Sequence, residues 1–261
     1  MRVLVVGENC QDQFIYGDID RLSPEAPVPV FVPEYTAVND GMARNVANNV
    51  ESLGMTINTI TNNEPGNDII KKRYVDKRSG QMVLRVDEHD YCEPIDNVLL
   101  STIQGNECHI QMSGKVEVDA IIISDYCKGF LSEDDIKFIC DNNKNVFVDT
   151  KKHLGSWIEN ADFIKINEFE YKKNHEFLKG NEHKLIVTMG SKGCMWNNTV
   201  FPAGKVKIAE VSGAGDTFIA GLVCGYLNTN DIRKAIEYAQ KCTEIVVQER
   251  GVTTVDKENI K

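Results

Sequence analysis

The sequence lacks the residue spacings that metal centres use. Its eight cysteines never fall into a C-x-x-C pair, and its five histidines are scattered, with no H-E-x-x-H among them. A chain of 261 residues can bury a sizeable core without covalent staples. We therefore expect neither a zinc site nor a disulfide framework, and we expect reduced cysteines, as in a cytoplasmic protein.

Long apolar runs and an excess of positive charge are also missing. No stretch approaches the roughly 20 apolar residues of a membrane span, and the opening run at 1–7 is too short for a signal-peptide core. Lysine and arginine number 29 against 39 aspartate and glutamate, giving a formal net charge of −10. This balance argues against nucleic acid or an anionic membrane as a partner. It leaves room for a local basic cavity that binds a phosphorylated small molecule.

Three familiar signatures of nucleotide-binding proteins and hydrolases are absent. The chain contains no G-x-G-x-x-G, no G-x-x-x-x-G-K-[ST] and no G-x-S-x-G. Rossmann dehydrogenases and P-loop NTPases are therefore disfavoured.

Short apolar runs alternate with helical patterns through most of the chain. Strands are predicted at 3–6, 57–61, 120–123, 146–148, 163–164 and 185–187, and helices at 41–53, 213–227 and 231–249, with a helix cap at Ser132. This alternation predicts parallel βαβ units, and so an α/β fold around a central sheet.

Two early segments have a period of two residues instead. Residues 28–33 contain prolines that confine them to an edge strand, and residues 72–87 form a hairpin pattern around a turn at 77–80. We predict a small second sheet over the carboxyl edge of the main sheet, where open α/β sheets bind ligands.

The sharpest chemical feature is the glycine-rich turn Val211-Ser212-Gly213-Ala214-Gly215-Asp216-Thr217, which leads into an apolar helix. Backbone N–H groups at a helix start converge on an anion, and the helix dipole adds favourable potential. An acid in the same turn is placed to take a proton from a hydroxyl that attacks a bound phosphate. The alternative is a structural glycine turn in which Asp216 is only a first-turn acid.

The turn resembles the G-A-G-D motif of the ribokinase-like (PfkB) carbohydrate kinases. Five further stretches resemble, in the same order, the kinase domain of the D-glycero-D-manno-heptose 7-phosphate kinases. They are 21–30, Arg44-Asn45-Val46-Ala47-Asn48-Asn49, Leu84-Arg85-Val86-Asp87, 124–129 and Asn167-Glu168-Phe169-Glu170. The resemblance runs from Val3 to about Val255.

The resemblance implies a ribokinase-like three-layer α/β sandwich with a small β-sheet lid. One domain would span 1–261, with lid segments at about 13–38 and 72–88. The implied reaction transfers the γ-phosphate of ATP, with Mg²⁺, to a sugar hydroxyl, most closely O1 of D-glycero-D-manno-heptose 7-phosphate. A homodimer through the unpaired edges of the lid is also expected.

The resemblance also assigns roles by position. Asp216 would be the catalytic base, and the amides of Gly213, Ala214 and Gly215 an anion hole. The substrate-binding candidates are Asp12, Gly41, Asn45, Lys72, Arg73 and Arg85. The nucleotide-binding candidates are Asn167, Glu170, Thr188, Gly190, Gly193 and Lys151, with Glu170 holding Mg²⁺ mostly through water.

The chain departs from the family pattern at several points. Met42 stands at the second glycine of the G-G pair, Cys127 at another usual glycine and Thr150 at a proline. Only nine residues separate Thr61 from Lys71, where relatives carry a helix and a strand, and there is no counterpart of a nucleotidyltransferase half. Two alternatives stay open: a PfkB kinase for another sugar or a nucleoside, and a non-catalytic homologue that binds sugar or nucleotide.

Overall fold

An eight-stranded sheet forms the centre of the fold in the computed structural model, which describes residues 1–62, 68–110, 114–174, 177 and 180–260. Its strands are β1 (Arg2–Gly7), β4 (Thr56–Thr61), β9 (Ala120–Asp125), β10 (Val146–Thr150), β11 (Phe163–Asn167), β12 (Leu185–Thr188), β13 (Cys194–Trp196) and β14 (Thr199–Phe201). The order across the sheet is β14-β13-β12-β11-β10-β9-β1-β4, and only β13 and β14 are antiparallel to their neighbours. The strands predicted from the apolar runs are confirmed.

Helices cover both faces of this sheet. They are α1 (Ala43–Ser52), α2 (Asn97–Ser101), α3 (Glu133–Asn142), α4 (Glu168–Lys173), α5 (Ala214–Thr229) and α6 (Ile232–Val246). Val3 and Val5 of β1 pack with α1, α5 and α6, whereas Leu4 and Val6 pack with α2 and α3. A strand buried on both faces must be apolar throughout, which explains the continuous runs in the sequence. The result is three layers, as expected. No described helix is long and apolar enough to cross a membrane.

The first helix begins later than predicted. The apolar stripe suggested a start at residue 41, but α1 begins at Ala43 because Gly41 and Met42 complete the preceding strand. Met42 has φ 58° and ψ −132°, a conformation outside the helical region that L-residues rarely adopt. The predicted cap of α3 is confirmed, since the Ser132 hydroxyl accepts from the Asp135 amide and the Asp135 carboxylate accepts from the Ser132 amide.

A separate four-stranded sheet forms the lid. It consists of β2 (Asn9–Leu22), β3 (Pro29–Met42), β5 (Ile69–Asp76) and β6 (Met82–Glu88), in the order β3-β2-β5-β6. The predicted edge strand and the predicted hairpin are both confirmed, although β2 and β3 reach beyond the expected lid segments. Strands β7 (Glu107–Ile110) and β8 (Gly114–Glu117) pair antiparallel in a separate two-stranded sheet. Most of the shortened stretch before Lys71, residues 63–67, lies outside the described residues.

The lid stands over the carboxyl ends of the central strands because the chain connects the two sheets directly. Strand β2 starts two residues after β1 ends, and the Ala43 amide at the return point donates to the Glu8 carbonyl at 2.9 Å. The chain therefore enters the lid at Glu8 and leaves it at Ala43, and a backbone hydrogen bond joins these two points. This brings β2 and β5 of the lid opposite the start of α5.

Candidate active site

Asp216 lies in the first turn of α5 at the base of a cavity of about 380 Å³. The residue before the helix, Gly213, has φ +79°, and a Cβ there would lie 2.8 Å from the side-chain nitrogen Nδ2 of Asn45. Glycine is favoured here for two reasons: it adopts the left-handed backbone conformation, and it leaves space for the side chain of Asn45. Asp216 itself is buried. The Ala214 amide in the same turn donates to the Val211 carbonyl at 3.2 Å, so it already has a partner.

Both carboxylate oxygens of Asp216 have hydrogen-bond donors. The Tyr126 hydroxyl donates to Oδ1 at 2.6 Å, and Nδ2 of Asn45 donates to Oδ2 at 2.9 Å. Asn45 is itself oriented, because Nδ2 of Asn49 donates to its Oδ1 at 3.1 Å. Burial raises the pKa of Asp216, and the two donated hydrogen bonds oppose that rise. The carboxylate is a proton acceptor that its neighbours hold in one orientation.

The cavity above Asp216 is rich in positive charge. Its lining comprises Asp12, Met42, Lys71, Arg73, Arg85, Tyr126, Lys128, Lys151, Ser212, Gly213 and Asp216, with five cations against two carboxylates. Lys71 is buried, and within the described ranges its side chain forms no ion pair: its ammonium faces the Tyr126 ring and the Cys10 thiol. Such an excess of charge favours an anionic ligand.

Three of the six predicted substrate-binding residues, Asp12, Arg73 and Arg85, line this cavity, and Gly41 and Asn45 lie beside its carboxylates Asp12 and Asp216. Arg73 pairs with Asp12 at 2.5 Å, and a Cβ on Gly41 would lie 2.6 Å from an Asp12 oxygen. Lys72 is placed elsewhere: its ammonium bonds Glu88 at 2.8 Å, and it is not among the lining residues. Successive residues of a strand face opposite sides, so Lys71 and Arg73 face the site and Lys72 does not.

A second, larger cavity of about 540 Å³ lies on the other side of the glycine turn. It contains three residues predicted to bind nucleotide, Thr188, Gly190 and Gly193, and its walls come mainly from 203–211 and from α5 and α6. Gly213 and Asp216 line the first cavity, whereas Ala214 and Gly215 line the second. The turn therefore lies between the two cavities.

A chain of ion pairs runs beneath the turn, buried at Lys165, Asp149 and Glu170 and partly exposed at Lys151. Lys165 pairs with Asp149 at 2.6 Å, and Lys151 bridges Asp149 at 3.3 Å and Glu170 at 2.9 Å. Burial alone would raise the pKa of Asp149, but the Lys165 and Lys151 ammonium groups outweigh it and hold that pKa below its ordinary value. A Cβ on Gly215 would lie 3.0 Å from the Lys165 ammonium, so the ion pair lies directly against the turn.

Asn167 and Glu170 form the capping box of α4. The Asn167 side chain accepts from the Glu170 amide at 2.9 Å, and the Glu170 carboxylate accepts from the Asn167 amide at 2.8 Å. No group of three potential metal ligands occurs among the described residues. A single carboxylate fits Mg²⁺ only together with waters and phosphate oxygens, which is the way Mg²⁺ commonly binds nucleotides.

Sequence reasoning missed three residues of the site: Lys71, Tyr126 and Glu8. Glu8 is fully buried, and its carboxylate accepts the amides of Tyr126 at 2.7 Å and Lys128 at 2.9 Å. It thereby fixes the loop after β9 that carries Tyr126. The position of Tyr126, directly after a central strand, is the signal that points to a ligand-binding place in an open sheet.

Two departures from the family pattern lie at unusual backbone positions. Met42 and Cys127 both have φ 58°, in the region that glycine enters freely and other residues rarely do. The structure thus gives a physical reason for the glycines in the pattern. In this chain Met42 also lines the first cavity.

Comparisons with known proteins agree with this geometry. The sequence pattern of the pfkB family carbohydrate kinases matches residues 106–259. The bifunctional protein HldE of Hyphomonas neptunium is 29% identical over 311 residues, which cover 100% of this chain and 63% of that protein. The chain therefore spans less than two thirds of that relative's length.

Solved structures show the same fold. A ribokinase from Thermotoga maritima superposes with a TM-score of 0.73 at 17% identity, covering 99% of this chain and 97% of that one. The Arabidopsis thaliana ribokinase in complex with ribose and ATP gives a TM-score of 0.69 at 12% identity, covering 99% and 96%. The expected ribokinase-like fold is confirmed. With the family pattern covering more than half of its length, this chain belongs to the pfkB family of carbohydrate kinases.

Proposed function

We propose that the protein transfers the γ-phosphate of ATP to a hydroxyl of a phosphorylated sugar, with O1 of D-glycero-D-manno-heptose 7-phosphate as the leading acceptor. The observation that carries the proposal is the turn 213–216, which has one cavity on each side and the Asp216 carboxylate facing the more basic one. ATP would occupy the larger cavity and the sugar the smaller. The acceptor hydroxyl and the terminal phosphate would then meet at the turn.

Asp216 would act as the base in this reaction. As the acceptor oxygen bonds to the γ-phosphorus, the bond from that phosphorus to the bridging oxygen of ADP breaks, and the hydroxyl proton passes to Asp216. The transition state is loose and spreads charge over the phosphoryl oxygens, so positioning and electrostatics contribute most of the rate. The amides of Gly213 and Gly215 would stabilise that charge. The Ala214 amide, which the family resemblance also assigns to this role, donates to the Val211 carbonyl at 3.2 Å and would have to give up that bond.

Magnesium, when bound with ATP, would neutralise charge on the phosphates. Glu170 is the residue proposed to hold it, mostly through water, because its carboxylate is the acid of the N-x-x-E element. One of its oxygens faces the Lys151 ammonium, which favours contact through water over direct ligation. Lys151, predicted to bind nucleotide, lines the acceptor cavity and not the larger one.

A phosphorylated acceptor follows from the charge of the smaller cavity. Arg73, Arg85, Lys128 and Lys151 already have carboxylate partners, but Lys71 has none in the described part of the chain. An anionic group on the substrate would supply the missing counter-charge. The HldE relative supports a heptose phosphate as that substrate.

An ADP-release assay on a panel of sugars and sugar phosphates tests the proposal. We expect turnover with heptose 7-phosphate and little with unphosphorylated sugars. In Asp216→Asn, kcat should fall about 10²-fold or more, as expected for the loss of a general base. Asp134→Asn, on the exposed first turn of α3, is the matched control and should keep wild-type turnover. Wild-type-like turnover in Asp216→Asn would exclude the base role.

Met42 favours a second candidate, a kinase for another sugar or a nucleoside. Its side chain narrows the acceptor cavity where the family pattern has a glycine, and the same panel would show a different preferred acceptor. A non-catalytic homologue would show ATP- and sugar-dependent thermal shifts without release of ADP.

We further propose a homodimer through the lid. Strands β3 and β6 are the edges of the lid sheet, and both carry exposed apolar side chains: Val32, Tyr35, Val38, Met82, Val83 and Leu84. Unpaired edges of this kind invite pairing with a second sheet. Light scattering should give twice the mass of one chain, and a monomer at assay concentrations would contradict the proposal.

A further inference from the structure

Tyr126 is half-buried and lines the acceptor cavity, and the proposed reaction assigns no role to its hydroxyl. It donates to Oδ1 of Asp216 at 2.6 Å, while Asn45 donates to Oδ2 at 2.9 Å. These donors come from separate parts of the fold: the loop after β9 and helix α1. The carboxylate is thus held from two directions, and each donor fixes one oxygen.

The tyrosine is itself held in place. The Glu8 carboxylate accepts the Tyr126 amide at 2.7 Å and the Lys128 amide at 2.9 Å, which fixes the backbone on both sides of Cys127. The ammonium groups of Lys71 and Lys151 lie 5.0 and 5.5 Å from the centre of the ring. Both distances allow attraction between a cation and an aromatic face. The ring therefore has little freedom to turn its hydroxyl away from Asp216.

The chemistry of this contact favours the reactive form of the base. Burial and the nearby Asp216 raise the pKa of Tyr126, so its hydroxyl stays protonated and can donate. A hydrogen bond donated to a carboxylate stabilises the ionised form, which is the form that accepts a proton. The other groups that act on Asp216 from the surrounding elements are Asn45, Asp149, Lys165 and Cys10, with the cavity cations Lys71, Arg73, Arg85, Lys128 and Lys151.

We propose that Tyr126 is a positioning residue for the base: its hydroxyl fixes the direction in which the Asp216 carboxylate faces the acceptor and stabilises the ionised form of that carboxylate. This role rests on the proposed function in so far as Asp216 is the base. It differs from acceptor binding, because Tyr126 acts through Asp216 and not through contact with the sugar.

The kinetic test compares Tyr126→Phe with Tyr226→Phe. The first removes only the hydroxyl that contacts Asp216, and the second removes a hydroxyl from a ring packed against Phe147 and Phe163 further along α5. For Tyr126→Phe we expect kcat to fall at least about ten-fold, since small misplacements of reacting groups are costly. The acid limb of the pH profile of kcat/KM should move up by about one pH unit, because a donor to a charged group is lost. The control should match the wild type.

A second test needs no substrate. Carbon-13 NMR titration of the aspartate carboxyl groups, with Asp216→Asn to assign the signal, should show a higher pKa for Asp216 in Tyr126→Phe. Incorporation of 3-fluorotyrosine at position 126 keeps the ring and makes the hydroxyl a stronger donor, so it should move the Asp216 pKa the opposite way. This variant also serves if Tyr126→Phe folds poorly. If no acceptor is turned over, the proposed function fails while this titration still decides the role of Tyr126.

Two results would overturn the inference. One is an Asp216 pKa and a pH profile that do not change in either variant. The other is a rise in the KM for the acceptor with unchanged kcat and pH profile, which would make Tyr126 a substrate-binding residue.

Discussion

Removal of the Lys165 ammonium should destabilise the fold far more than removal of any surface lysine. Lys165 and Asp149 pair at 2.6 Å with side chains 5% and 3% exposed, so neither charge has water as a substitute partner. Breaking a buried pair by removing one partner costs about 3–5 kcal/mol, because the remaining charge is left uncompensated. Lys151 at 3.3 Å from Asp149 offsets part of that cost, so Lys165→Met should lose about 3 kcal/mol.

The assay is equilibrium unfolding by urea and by heat. With an unfolding entropy of about 2.1 cal/mol/K per residue, a loss of 3 kcal/mol lowers the Tm of a chain of this length by about 5 °C. Lys192→Met is the matched control, since Lys192 meets Glu168 at 3.5 Å on the surface with both side chains well exposed. The control should lose less than about 1 kcal/mol.

A double variant separates the charge from the packing. Asp149→Asn combined with Lys165→Met removes both partners, and it should recover about half of the loss or more because no lone buried charge remains. A free energy of unfolding for Lys165→Met within about 1 kcal/mol of the wild-type value would refute the reasoning. It would mean that leaving Asp149 without Lys165 costs little.

Three further outcomes follow from the site. Lys71→Gln should raise the KM for a phosphorylated acceptor at least about ten-fold, whereas Lys72→Gln, on the opposite face of the strand, should change it less than about two-fold; steady-state kinetics with both variants decides this. Gly193→Ala should abolish the thermal shift given by ATP, because φ is +96° and the new Cβ would lie 2.0 Å from a backbone oxygen. Gly105→Ala, also at a positive φ of +68° but with open space around it and outside both cavities, should keep that shift. The pKa of Asp149 is lowered from 3.8 in the folded chain, so its ionised form stabilises the fold above that pH and this contribution disappears as the pH falls through the lower folded value. The stability difference between the wild type and Asp149→Asn, measured by urea unfolding, should therefore shrink below about pH 4 and stay constant above about pH 5.

Much of the fold follows from local patterns in the sequence. Val3 to Val6 predict a strand buried on both faces because no polar residue interrupts them, and the alternation at 72–87 predicts the hairpin. The start of α1 could not be predicted in the same way. The apolar stripe continues through Met42, although Met42 has a positive φ and lies before the helix. That φ is set by the junction of lid and helix, so the hydrophobic pattern does not reveal it.

The site was less accessible to such reasoning. Asp216 and its glycines were predicted because they are contiguous, whereas the contact of Tyr126 with Asp216 joins residues 90 positions apart. Lys72 and Arg73 were both assigned to the substrate, although neighbours on a strand cannot share a face. Residues 71, 73 and 75 lie on one face of the strand, and Val75 is buried. Counting in steps of two from Val75 would therefore have selected Lys71 and Arg73.

The lid is joined to the central sheet at Glu8, where β1 passes into β2. Asp12 lies close to this junction and Leu22, at the other end of β2, lies far from it. At about 3.3 Å per residue, Asp12 lies about 13 Å from a pivot at Glu8 and Leu22 about 46 Å from it. A swing of 10° would then displace Asp12 by about 2 Å and Leu22 by about 8 Å. A distance probe at the tip of β2 would therefore move about 3.5 times as far as Asp12, the residue proposed to bind the sugar.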